Sequence, residues 1–214
     1  PRRPARPSTP EPAAAPIRQR HYFFHSLIGR AANDALSRVV GLRLGRLGVG
    51  NPIATADDYG FVLTIGADRQ LSTDEIAGLL SPDRFEPDLE EVLGRSDLLK
   101  YHFRNAAQTG LMVYRNYFGE QKSARKLQWS AEVIFNVLVQ HEPDHVLLRE
   151  DRRDASHSFL DEPRALAYLR DLTTRGLPIR LRTVTRVPPL SFGMYATRIR
   201  EALLVEDPRE TLER

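Results

Sequence analysis

A helical stripe behind a capping serine constrains this chain more than any other feature. Ser123 precedes Leu127, Ala131, Ile134 and Leu138, apolar positions that return with the helical period and must face a neighbouring element. The same period runs between Phe24 and Leu47 through Leu27, Ile28, Ala31, Ala35, Leu36 and Val39. Gly41, Gly45, Gly48 and Gly50 weaken and end that helix. Ser72 with Glu75 is a capping-box pattern, and Pro87 marks the start of a second short helix. Another helix runs from Asp97, capped by Ser96, through Leu98, Leu99 and Phe103 toward Gly110. Pro143 and Pro163 each open one more, and Ser191 caps a closing helix over Met194, Ile199 and Leu203.

Two regions follow a different rhythm. Ile53 to Ala56 and Phe61 to Ile65 flank Asp57-Asp58-Tyr59-Gly60 and predict a β-hairpin, with Gly60 supplying the special backbone angles of the turn. Ile179 to Val187 alternates like a strand and sets Arg180, Arg182 and Arg186 on one face. The expected fold class is α+β: a helix-rich domain with a small mixed or antiparallel sheet that includes a hairpin near residues 53–65 and a strand near 179–187. Residues 1–20 hold six prolines and five arginines with one large apolar side chain, Ile17, and read as a linker or arm. Residues 21–214 read as the domain.

Charge is unevenly spread. The formal net charge is only +3, so any attraction to a polyanion must come from local clustering. Between Arg95 and Ser130 seven cations face two anions, whereas between Ala67 and Gly94 eight acids face two arginines. The first stretch suits nucleic acid and the second repels it. There is no cysteine, which excludes disulfides and thiolate metal sites and is compatible with a cytoplasmic protein. No apolar run approaches the roughly 20 residues of a membrane span. The chain begins with Pro1 rather than methionine, which predicts that it is cut from something longer.

Several patterns with catalytic associations carry blander explanations. His141-Glu142-Pro143-Asp144-His145 matches H-E-x-x-H by letters, but that zinc chemistry needs both imidazoles on one unbroken helix, and Pro143 interrupts it. No metal site is expected. His21 and His25 border Tyr22, Phe23 and Phe24 and read as packing at the entry to the first helix. Asp57 and Asp58 read as turn formers rather than magnesium ligands. Neither a G-x-x-x-x-G-K-S/T loop nor a DEAH or DECH box is present, so the chain is not expected to hydrolyse ATP by itself.

The pieces RHYFFHSLIGRAANDAL, DDYGFVL, LLKYHFRNAAQTGLMVYRNYFGEQKSARKLQ, EPDHVLLR and VPPLSFGMYATRIRE, in this order, resemble the C-terminal associated domain of Lhr-type (large helicase-related) superfamily 2 DNA helicases, including the ligase-associated DEXH-box branch. The resemblance covers about residues 21–200. It implies a C-terminal accessory domain that holds single-stranded DNA in a repair helicase. The implied partners are the RecA-like and winged-helix domains of the same helicase and DNA-repair proteins, with ATP and Mg required by the motor and no cofactor in this chain. A structural docking role on the motor is the alternative.

The residues expected at a nucleic-acid site are Arg104, Arg115, Lys122, Arg125, Lys126, Trp129, Arg180 and Arg182. Phosphate contact needs exposed guanidinium or ammonium groups, and base stacking needs an exposed aromatic among them. Arg125 and Trp129 are one helical turn apart, away from the apolar stripe, and form one clamping face; Trp129 packing on a neighbouring helix is the other reading. Arg104, beside Asn105, can hold phosphate or satisfy backbone groups between helices. The arginines near 180 can track phosphates or keep a sheet edge charged.

Overall fold

The computed structural model describes residues 19–50, 52–95, 97–117, 120–121 and 123–205, with side chains described to residue 200 except at 95, 117, 120 and 121. Its three-stranded antiparallel sheet has the order β1-β3-β2, with β1 at Gln19–His25, β2 at Ile53–Ala56 and β3 at Gly60–Gly66. The hairpin forms where the alternation predicts it, Ala54 opposite Leu63 and Ala56 opposite Phe61. β1 is a strand that the sequence does not predict, its residues being divided between the N-terminal arm and the entry to the first helix. Four consecutive rings and imidazoles, His21 to Phe24, hide an alternation in which Tyr22 and Phe24 point inward with Leu63 and Phe61, their register partners. Phe24 stacks on Phe61 at 4.4 Å, and the Tyr22 hydroxyl accepts from the Leu71 amide at 2.8 Å.

The first helix, α1, therefore runs only over Arg30–Arg46, after positive φ angles at Leu27 and Gly29 have turned the chain. It buries Ala32, Ala35, Leu36, Val39, Val40 and Leu44 against the inner face of the sheet. No acid of its own stabilises its positive end. The hairpin turn supplies one: Asp58 Oδ1 accepts from the Arg30 amide at 3.1 Å. Asn33, fully buried, donates to the Asp57 carbonyl at 2.8 Å and accepts from the Ser26 hydroxyl, tying turn, strand and helix together. Asp57 Oδ1 in turn accepts from the amides of Tyr59 and Gly60, so both aspartates are turn formers as expected. Gly60 itself serves differently from expectation. Its φ is not positive; a Cβ there would lie 1.8 Å from the Phe24 carbonyl oxygen, so the side chain is excluded by β1.

The acidic segment folds as α2 (Thr73–Leu79) and α3 (Phe85–Arg95), with the Ser72–Glu75 capping box in place. Its central carboxylate, Asp88, is buried and bonded to Arg43 Nε at 2.8 Å and Arg46 at 2.7 Å, both from the C-terminal turn of α1. Arg43 also donates to the carbonyls of Leu79, Ser81 and Asp83, clamping the α2–α3 connection onto α1. Burial alone would raise the Asp88 carboxyl, but the two guanidinium groups outweigh it and hold it below the usual range.

A second helical layer follows. α4 (Asp97–Thr109) packs on α5 (Ala124–His141) and on α6 (Val146–Asp154), with the short pair β4 (Asn116–Tyr117) and β5 (Glu120–Gln121) between α4 and α5. Ser123 caps α5 as predicted, and Leu127, Ala131, Phe135 and Leu138 form its buried stripe. The predicted Ser96 cap of α4 lies outside the described residues. α6 begins later than Pro143 predicts: Pro143 and Asp144 form a turn, and His145 caps the helix by accepting the Leu147 amide at 3.2 Å. A π turn at Ala155–Phe159 extends α6 into α7 (Glu162–Thr174), and α8 (Phe192–Val205), entered through a 3-10 turn at Pro189–Ser191, covers the outer face of the sheet.

Residues 179–187 correct the strand expectation. They have no regular secondary structure, and among the described residues no backbone hydrogen bond joins them to a neighbouring strand. Alternation specifies an extended backbone, but a strand also needs a ladder partner. The available edge, β1, stands across a groove. Among the described residues no helix is long and apolar enough to cross a membrane.

Candidate nucleic-acid interface

The expected site residues fall into two groups. The first lies on the packed pair α4–α5. Arg125 and Lys126 occupy the first turn of α5, both exposed, and Trp129 is 69% exposed one turn beyond Arg125. That exposure excludes packing of the indole on a neighbouring helix within the described fold and leaves its face free for a flat ligand. Arg115 is exposed in the bend before β4, and Lys122 lies outside the described residues. Arg104, on α4, is half-buried with its guanidinium carbon 5.5 Å from the centroid of the exposed Tyr101 ring, a cation–π contact that leaves Asn105 exposed beside it.

The second group is Arg180 and Arg182, exposed with Arg186 on the irregular segment between α7 and α8. They line one side of a groove of about 830 Å³ whose other side is β1. Arg20, which the sequence reading assigns to the N-terminal arm, instead lies in β1 and lines the same groove, donating to the Arg69 carbonyl at 3.2 Å. His21, Phe23 and Tyr195 were missed as well. They meet as a cluster of rings, His21 to Tyr195 at 5.2 Å edge-on and Phe23 to Tyr195 at 6.4 Å. The signal for the first two was the odd-numbered side of HYFFH; Tyr195 comes from α8 and gave none. Burial, then the Arg198 charge, pulls His21 below the ordinary imidazole range, so at neutral pH it presents an uncharged ring.

The electrostatics separate these cations from the acids. Asp88 is taken by Arg43 and Arg46, Glu91 by Arg46, and Glu75 by Arg69. Among the described residues, none of Arg104, Arg115, Arg125, Lys126, Arg180, Arg182 and Arg186 forms an ion pair with a carboxylate of the domain. Such unpaired guanidinium and ammonium groups can take phosphate without first breaking an internal contact. His141 and His145 sit on opposite sides of the α5–α6 break, with His145 Nδ1 occupied by the Leu147 amide. Among the described residues no three His, Asp or Glu side chains are gathered to hold a metal ion.

A helix-rich α+β domain is what the fold defines; the chain belongs to the DEAD/H associated family, whose match covers residues 14–191. It is homologous to a region of Lhr helicases. It is 30% identical over 196 residues to the ATP-dependent helicase Lhr-Core protein 2 of Thermococcus barophilus, covering 92% of this chain and 23% of that protein. It is 28% identical over 195 residues to the ATP-dependent helicase Lhr-Core of Methanocaldococcus jannaschii, with coverage of 91% and 23%. The chain thus spans about a quarter of the length of these relatives. The fold is shared with a solved structure of the Mycobacterium smegmatis helicase Lhr bound to ssDNA and AMP-PNP, at a TM-score of 0.62 and 24% identity over 75% of this chain and 20% of that one.

Proposed function

We propose that this chain is the single-stranded-DNA-guiding accessory domain of an Lhr-type ATP-dependent DNA helicase that acts in DNA repair. The RecA-like and winged-helix domains of the same protein supply the ATP- and Mg-dependent motor, and this domain holds the strand by sequence-independent contact to its phosphates. One observation carries the reading: among the described residues the exposed cations on α5 and on residues 179–187 form no ion pair, while Glu75, Asp88 and Glu91 of the acidic segment are held by Arg69, Arg43 and Arg46. The relative solved with ssDNA bound supports it. The reading is tested by a salt titration of single-stranded DNA binding. Each phosphate neutralised contributes about 0.7 to the slope of log K against log salt, so the Arg125→Ala, Lys126→Ala double variant lowers that slope by about 1.4 if both residues contact phosphate. Affinity that is independent of salt refutes the reading.

A second reading is favoured by one observation. Trp129, Val133 and Val137 make an exposed apolar ridge along the outer side of α5, the kind of surface that docks on another domain of the motor or on a repair protein. Trp129→Ala in the isolated chain separates the two. A stacking residue lowers DNA affinity there, whereas a docking residue leaves it unchanged.

A further inference from the structure

Resting on the DNA-guiding reading, we infer that the groove between β1 and residues 179–187 seats the unpaired bases of a single strand, with the rings of His21, Phe23 and Tyr195 receiving bases and Arg180, Arg182 and Arg186 receiving phosphates. The groove shares no lining residue with the α4–α5 cations and adds a second place for bases beside the exposed Trp129 of α5.

Four independent features of the groove point to this ligand. Its lining includes four arginines and not one Asp or Glu, so the whole cleft favours an anion. Among the described residues Arg180, Arg182 and Arg186 make no hydrogen bond or ion pair, which leaves their donors available. The cationic field continues beneath the rings: Arg198, one turn beyond Tyr195 on α8, is buried with its Nε unpartnered, and its charge reaches His21. Finally, the three rings sit half-buried at one wall, anchored from below but open along the groove. His21 is held by a 2.9 Å hydrogen bond to Thr64, and Tyr195 meets it at an interplanar angle of 82°.

Anionic backbone with flat apolar faces is the chemistry of single-stranded nucleic acid. A duplex keeps its bases stacked inside and offers only phosphates to such a platform. An extended acidic peptide adding to the free edge of β1 is the competing occupant. It would match the charge and the open edge while leaving the ring cluster without a specific partner.

The experiment measures binding of a twelve-nucleotide single strand carrying one 2-aminopurine, read by anisotropy across a salt series and by quenching of the stacked base. Five proteins are compared: the wild type, an Arg180→Gln, Arg182→Gln, Arg186→Gln triple variant, Tyr195→Leu, Tyr195→Phe, and the Arg125→Ala, Lys126→Ala variant. The groove arginines are exposed, so the triple variant folds; its salt slope falls by about 2, three phosphates at roughly 0.7 each. Tyr195→Leu weakens binding about tenfold, leaves the slope in place and abolishes the quenching, and Tyr195→Phe restores both. If Tyr195→Leu unfolds, the triple variant with the quenching signal still decides the matter.

Full binding and quenching in the groove variants, with loss in Arg125→Ala, Lys126→Ala, overturns the groove and leaves the DNA-guiding reading standing. No binding by wild type defeats both. Displacement of the strand by an oligo-glutamate peptide at lower concentration than by oligo-dT overturns the groove as a base site and makes it a strand-addition site.

Discussion

Replacing Arg43 by methionine is expected to be the most damaging single change at the junction of the acidic segment with α1. The guanidinium bonds Asp88 Oδ2 at 2.8 Å and the carbonyls of Leu79, Ser81 and Asp83 at 2.8, 2.7 and 2.6 Å, and the side chains of Arg43 and Asp88 are only 10% and 3% exposed. Breaking a buried pair from one side costs about 3–5 kcal/mol, because the remaining charge stays buried without its partner. Arg46 still holds Asp88 Oδ1 at 2.7 Å, and water can enter beside the freed carbonyls, which places the loss toward the lower end, about 3 kcal/mol. For a chain of this length each kcal/mol moves the thermal midpoint by roughly 2–4 °C, so the midpoint falls by about 6–12 °C. Urea denaturation followed by circular dichroism measures the free energy directly, and the double variant with Asp88→Leu tests the coupling. The double variant should recover part of the loss, since both charges then leave together. A loss below about 1 kcal/mol for Arg43→Met alone, or a double variant no better than the single ones added, refutes the clamp.

Other expectations follow from equally specific geometry. Gly60→Ala drives a methyl to 1.8 Å from the Phe24 carbonyl and should separate β1 from β3, destabilising the fold by about 3 kcal/mol or more in the same urea assay. Asp151, buried on α6 with an unpartnered Oδ2, has its carboxyl pushed up to about 7 by burial and then by Asp154, with Arg152 opposing. Its folded value lies above the unfolded one of about 4, so the folded state binds the extra proton and stability rises as pH falls through 7. Wild type should therefore gain about 1 kcal/mol between pH 8.5 and 6 relative to Asp151→Asn, and parallel stability curves for the two proteins would show the carboxyl is ordinary. The comparison cancels His102, whose imidazole is held low chiefly by burial in both proteins. Trp129→Ala should weaken single-strand binding by about fivefold or more without moving the thermal midpoint, because an indole 69% exposed contributes little to the core.

The helices were legible because each carries its own signals. Ser72 with Glu75, Ser123 before Leu127, and Pro163 at the head of α7 are local signals that need no distant partner to act. The hairpin was equally local. β1 was hidden because four aromatic and imidazole side chains in a row show no polar alternation, although only Tyr22 among them is buried. Residues 179–187 failed for the opposite reason: the alternation was real, but no neighbour completed it. Among the site residues, exposed α5 cations and Trp129 could be placed by helical phase. Arg20, His21, Phe23 and Tyr195 could not, since they come from β1 and α8 and adjoin only after α8 folds across the sheet.

By itself the amino-acid order determined the helix boundaries near their caps, the hairpin, the family and the division into a basic and an acidic stretch, because propensity, capping and local charge act within a few residues. Which arginines remain available for a ligand was decided by tertiary structure alone. Arg43 and Arg46 look no different in the sequence from Arg180 and Arg182, yet the first pair is consumed by Asp88 across about forty residues of chain while the second faces an acid-free groove. Charge pairing depends on distance in space, and that distance is set only when α1, α3 and the β1 edge have packed.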